Sequence, residues 1–137
     1  MNIKNYCGIM GGILLALGLL GFVPALAPAQ SLPEPSTTGM LFGLFPINAL
    51  HNLVHIGFGI WGLTASRQYD SSYYYTVTSA IIFGVLAVLG MVPALNTLFG
   101  LVPLHGHVVW LHAVIAASGA YFAYDYTNRR TTMGPTI

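Results

Sequence analysis

The chemistry available to this chain is concentrated in five histidines and the asparagines beside them. His51 and His55 share one apolar segment with Asn48 and Asn52, and His105, His107 and His112 share another. Asn48, His51, Asn52 and His55 follow i, i+3, i+4, i+7, the spacing of a single helical stripe. His105 and His112 share a stripe at i, i+7, whereas His107 falls on another face and reads as a surface residue. Neutral imidazole is the commonest metal ligand, and two histidines on facing helices suit axial ligation of a haem iron. The pattern therefore admits a metal ion on His51, His55 and His112. It equally admits haem b between His55 and His112, with His51, Asn52, Asn48 and His105 as alternative or supporting ligands. Copper and zinc both suit imidazole, and the residue types do not separate them. Covalently attached haem is excluded, because no Cys-x-x-Cys-His occurs. The same stripes also suit hydrogen bonding between helices or a proton or ion path. Catalysis finds no support, since these segments hold no carboxylate to orient a histidine and no Ser-His-Asp or Cys-His set.

The elements that carry these residues follow from charge. Only seven of 137 residues are charged, four Lys or Arg and three Asp or Glu. A soluble surface needs far more, nucleic-acid binding needs a basic patch, and disorder needs fewer apolar residues than the 55% present. An integral membrane protein with one domain over 1–137 remains. The uncharged stretches 5–33, 35–66 and 71–124 have 29, 32 and 54 residues. A membrane helix takes about 20, so four spans are expected near 8–26, 46–65, 74–94 and 103–124. Lys4, Arg67, Arg129 and Arg130 then all fall on one side, which places both termini in the cytoplasm. A multi-pass protein of a bacterial inner membrane is expected. Tyr6, Tyr69, Tyr73, Tyr74, Tyr75, Tyr124 and Tyr126 cluster at the inner ends, as in an interfacial belt.

Two blocks recur in order. Leu41-Phe42-Gly43-Leu44-Phe45-Pro46 returns as Leu98-Phe99-Gly100-Leu101-Val102-Pro103, and Leu20-Gly21-Phe22-Val23-Pro24-Ala25-Leu26 returns as Leu89-Gly90-Met91-Val92-Pro93-Ala94-Leu95. The chain thus reads as two parallel copies of a transmembrane helical hairpin, about 8–65 and 74–124. His55 then corresponds to His112, and Asn48 to His105. Both histidines lie nine residues after a proline, about 13 Å along a helix and near the midplane of a roughly 30 Å core. Pro46 and Pro103 suit the first turn of a helix, and Pro24 and Pro93 mark outer ends. Lys4, the apolar run and Ala25-Leu26-Ala27 also fit a cleaved signal peptide, but the matching third span favours retention.

Other signals carry packing rather than chemistry. Gly57-x-Gly59-x-x-Gly62 lacks the strand and turn of a nucleotide site. With Gly8-x-x-x-Gly12 and the run 116–120 it suits close helix contact. The single Cys7 reads as a small apolar residue, Trp61 and Trp110 as packing or lipid-facing groups, and 28–39 as an irregular outer loop.

The block Leu41-Phe42-Gly43-Leu44-Phe45-Pro46, followed by Asn48-Ala49-Leu50-His51-Asn52-Leu53-Val54-His55 and a Gly-rich helix, resembles the bacterial membrane proteins catalogued as domain of unknown function 4383. The resemblance covers about 8–122 and implies four spans without an assigned activity. Val109 departs from the family pattern, which has Asn or Asp at that position as at Asn52. The sequence is read as an all-α four-helix membrane bundle. Its first functional reading is a non-enzymatic subunit or accessory factor of a membrane complex, in contact with lipid and with other membrane subunits or copies of itself. The alternatives are a cofactor-binding protein with haem b or a transition metal, and a proton or ion conduit.

Overall fold

Asn2 starts the chain's first helix. Its backbone is extended and its side chain accepts a hydrogen bond from the Asn5 amide at 2.9 Å, which satisfies one of the free donors of a helix N-terminus. The computed structural model describes residues 1–29 and 36–133. Its order is α1 (Ile3–Leu20), β1 (Gly39–Leu41), β2 (Phe45–Ile47), α2 (Ala49–Ala65), α3 (Tyr69–Met91) and α4 (His107–Met133). α1 packs chiefly on α2, and α3 chiefly on α4. α1, α3 and α4 are long and apolar enough to cross a membrane, whereas α2 has 17 residues and is shorter. Large apolar side chains project outward from all four helices, among them Ile13, Ile60, Val85 and Val114. Such faces need a non-aqueous surrounding.

The inner faces meet in two clusters. Leu14, Phe83 and Ile115 form one, and Cys7, Ala65 and Tyr75 form the other, with Phe58 packed against both. Between α1 and α2 the backbones themselves touch. A Cβ on Gly11 would lie 2.7 Å from the Leu63 amide nitrogen, and one on Gly59 would lie 2.5 Å from that of Leu15. Small residues permit this approach. Gly12 and Gly57 meet nothing, so α1 uses Gly11 rather than the expected Gly12. Cys7 adds to the contact as a donor, with Sγ 3.1 Å from the Gly62 carbonyl.

Helix limits differ from the expected spans for identifiable reasons. α2 starts at Ala49 because Asn48 caps it, and Pro46 lies in β2, not in a first helical turn. α4 starts at His107, after Gly106 with φ 65°, so Pro103 precedes the helix. α3 stops at Met91 because Val92, before Pro93, is extended, as a residue before proline prefers. α1 begins earlier than expected and α4 continues past it, since helical hydrogen bonding outlasts the apolar stretch. In that extension Arg129 pairs with Asp125 at 2.9 Å across one turn.

A small antiparallel sheet follows the segment expected to be irregular and overlaps it at Gly39, with Gly39 opposite Ile47 and Leu41 opposite Phe45. Residues 30–35 lie outside the described residues, but Ser36 and Thr37 are buried rather than exposed. The tips of the two long loops share a conformation: φ is positive at Phe42 and Gly43, and again at Phe99 and Gly100. Tyr6 and Tyr75 also depart from the expected interfacial belt, because both are buried, at 4% and 0% exposure.

Candidate metal centre

Asn48 fixes the entry to α2. Its Oδ1 accepts from the His51 amide at 2.8 Å, while its Nδ2 donates to the Ser36 carbonyl at 2.8 Å and the Leu101 carbonyl at 2.7 Å. His51 therefore sits in the first turn of α2, with His55 one turn further on the same face. His112 comes from α4, five residues after that helix begins. Because both helices start later than expected, these histidines lie about 3, 9 and 8 Å from their helix starts. His51 thus lies at the loop end of α2, and His55 and His112 lie about one turn deeper.

The three rings converge. Centroids of His51 and His55 are 4.5 Å apart, those of His51 and His112 5.7 Å, and those of His55 and His112 6.0 Å. One nitrogen from each ring lies within 4.8 Å of the other two. Nitrogens on one ion at metal–nitrogen distances of about 2.0–2.1 Å stand about 3.4 Å apart, so closure needs about 1 Å of movement per side chain. All three residues are more than nine-tenths buried. His51 Nδ1 and Nε2, His55 Nε2 and His112 Nδ1 make no hydrogen bond of good geometry among the described residues, although the His51 ring faces the Pro103 backbone. Each such buried polar atom costs about 1–3 kcal/mol unless something binds it. Phe83 packs against both His55 and His112, at 5.9 and 5.2 Å between centroids.

Asn52 completes one side. It is 2% exposed and its Oδ1 is unpaired. With His51 and His55 it lines a cavity with room for about one water-sized group, otherwise walled by apolar side chains that include Leu17, Phe45 and Val108.

The structure thus brings together His51, His55, His112 and Asn52. Asn48 supports them through backbone contacts. His105 does not belong to the group. It lies outside α4, so it shares no helical stripe with His112, and its Nε2 is 3.3 Å from Thr37 Oγ1. His107 is exposed, as expected. Mutual hydrogen bonding along the stripe, expected from the residue types, is confined to Asn48.

A second polar group was missed in the sequence. Ser72, Tyr75, Thr76 and Ser79 are buried on α3, and Tyr75 Oη, Thr76 Oγ1 and Ser79 Oγ make no hydrogen bond among the described residues. Their spacing, i, i+3, i+4, i+7, repeats that of Asn48 to His55 and was the available signal. Ser72 is satisfied, its hydroxyl donating to the Ala65 and Gln68 carbonyls. Both carboxylates among the described residues, Asp70 and Asp125, lie on the termini side, about 20 Å along the helices from Phe83 and His112.

Comparison with known sequences agrees with the motif. The family described as Domain of unknown function (DUF4383) matches residues 4–124, and the chain belongs to it. No curated protein and no solved structure matches the chain.

Proposed function

We propose that this chain is a non-enzymatic integral membrane protein that holds one transition-metal ion on His51, His55 and His112, as a small subunit or accessory factor of a membrane complex. One observation carries the reading. Three buried imidazoles from two helices converge with their ligand nitrogens within 4.8 Å, and four of their ring nitrogens lack a hydrogen bond of good geometry among the described residues. Histidines that served only to join helices would use those nitrogens on one another or on backbone carbonyls.

A bare ion fits better than haem. The rings of His51 and Phe83 pack against both His55 and His112, where a porphyrin would have to pass. The neighbouring cavity has room for about one water-sized group. In this reading α2 also spans, since 17 residues lie at the short end of membrane-crossing helices. The chain is then two hairpins with the metal between them, in a cytoplasmic membrane with both termini inside. The positions of the four Lys and Arg residues support that orientation.

Elemental analysis of the purified protein tests this. About one equivalent of copper or zinc per chain is expected, falling at least tenfold in His55→Ala and in His112→Ala, and unchanged in His105→Ala. Absence of stoichiometric metal, even after incubation with copper and zinc salts, would leave the histidines as a packing device and overturn the proposal.

A further inference from the structure

We infer that the three-imidazole centre selects the singly charged cuprous ion over zinc and other divalent cations, an inference that rests on the metal-binding reading above. Imidazole ligands are neutral, and so is Asn52 beside them. Among the described residues the carboxylates lie at the far end, the exposed Asp70 paired with Arg130 and the partly buried Asp125 paired with Arg129. No negative group among the described residues lies beside the three imidazoles. The cost of placing an ion in an apolar interior rises with the square of its charge, so a divalent ion costs roughly four times as much as a monovalent one.

A divalent ion has one remedy, which is to bring an anion. Zinc commonly carries water or hydroxide in its fourth position, and hydroxide would lower the net charge to that of the cuprous complex. The space beside His51 and His55 holds about one water-sized group and is lined by Leu17, Leu41, Phe45, Ile47, Val108 and Leu111. Asn52 is the single remaining polar group there. A buried water ordinarily has two to four polar partners, and a hydroxide needs at least as many. The cuprous ion needs no such companion, because imidazole is a copper ligand and the complex with three neutral imidazoles already carries a single charge. The geometry therefore satisfies the unpaired nitrogens with the smallest charge that any suitable transition metal carries.

The experiment is a competition on the detergent-solubilised full chain. The protein is loaded anaerobically with Cu(I) or with Zn(II), and each form is titrated with a chelator of known affinity for that ion. Cu(I) is expected to bind at least 100-fold more tightly than Zn(II). In Asn52→Asp, a carboxylate stands beside the centre, and Zn(II) affinity should rise at least tenfold while Cu(I) stays bound. Equal affinities, or tighter Zn(II), would overturn the selectivity and leave the metal-binding reading standing. A wild type that prefers Cu(I) beside a folded Asn52→Asp variant with unchanged Zn(II) affinity would overturn charge as its cause. Failure of both ions to bind would remove the metal-binding reading and this inference with it.

Discussion

In the first helix pair, α1 and α2 meet backbone to backbone, whereas in the second pair α3 and α4 meet mainly through side chains, with one looser main-chain approach where a Cβ on Gly119 would lie 3.2 Å from the Thr76 carbonyl oxygen. A Cβ on Gly59 would collide with the α1 main chain at Leu15, but one on Gly84 would find only the Ala116 methyl at 3.6 Å. The polar residues differ in the same direction. α2 supplies His51, Asn52 and His55, while α4 supplies His112 alone. The contacts beneath them correspond. Asn52 packs on Gly21 of the turn after α1, leaving no room for a Cβ there, and Val109 packs on Gly90 of α3, with Cγ2 2.9 Å from where a Cβ would stand. One contact type thus carries a carboxamide in one pair and a methyl group in the other. The first pair is built around backbone proximity and the histidines, and the second closes over it with apolar side chains and the buried hydroxyls of α3.

Substitutions can break this contrast, beginning with the glycines. Gly59→Ala should cost about 3 kcal/mol or more, because neither backbone can give way. Gly84→Ala should change stability by less than about 1 kcal/mol, with the better helix propensity of alanine acting in its favour. Unfolding in mixed micelles measures both, and equal losses would erase the distinction between the pairs. Next comes Asn48→Ala, which removes a cap and the donors to two carbonyls and should cost about 2–3 kcal/mol. His105→Ala, at the corresponding position of the second pair, loses one longer bond and should cost less than about 1 kcal/mol. Val109→Asn sharpens the comparison from the other side. It places a carboxamide against Gly90 without an evident partner and should cost about 1–2 kcal/mol. A neutral result would mean that α4 tolerates the polar residue that α2 uses. The smallest effect is expected at the exposed Arg130–Asp70 pair, which joins α4 to α3 at 3.1 Å. Arg130→Gln should shift stability by less than about 0.5 kcal/mol, and less still in high salt.

Much of this arrangement was legible in the residues. The scarcity of charge marked the apolar helices, and the i, i+3, i+4, i+7 spacing picked out His51, Asn52 and His55 together with a partner at His112. Helix starts were less visible. The proline positions suggested them, but a side-chain cap at Asn48 and a left-handed Gly106 decided them, moving the histidines toward the loop end and dropping His105 from the helix. Tyr75 was misplaced for a different reason. Aromatic residues near a membrane surface usually lie at the interface, and only the glycine notch opposite, where a Cβ on Gly62 would fall 2.8 Å from the Tyr75 hydroxyl, makes room for the ring inside.

Asn48 has a consequence for assembly. Its Nδ2 reaches the Leu101 carbonyl, 53 residues later in the chain. The capping bond from the His51 amide is local, but the Asn48 side chain is fully held only once the second long loop has been made and brought into place. Closing so distant a contact costs loop entropy that nearby bonds do not incur, so the first turn of α2 is anchored late. A nascent first hairpin would carry a frayed α2 start, and arrival of the second would tighten it. The two halves then unfold as one cooperative unit, even though most of their contacts are made within each half.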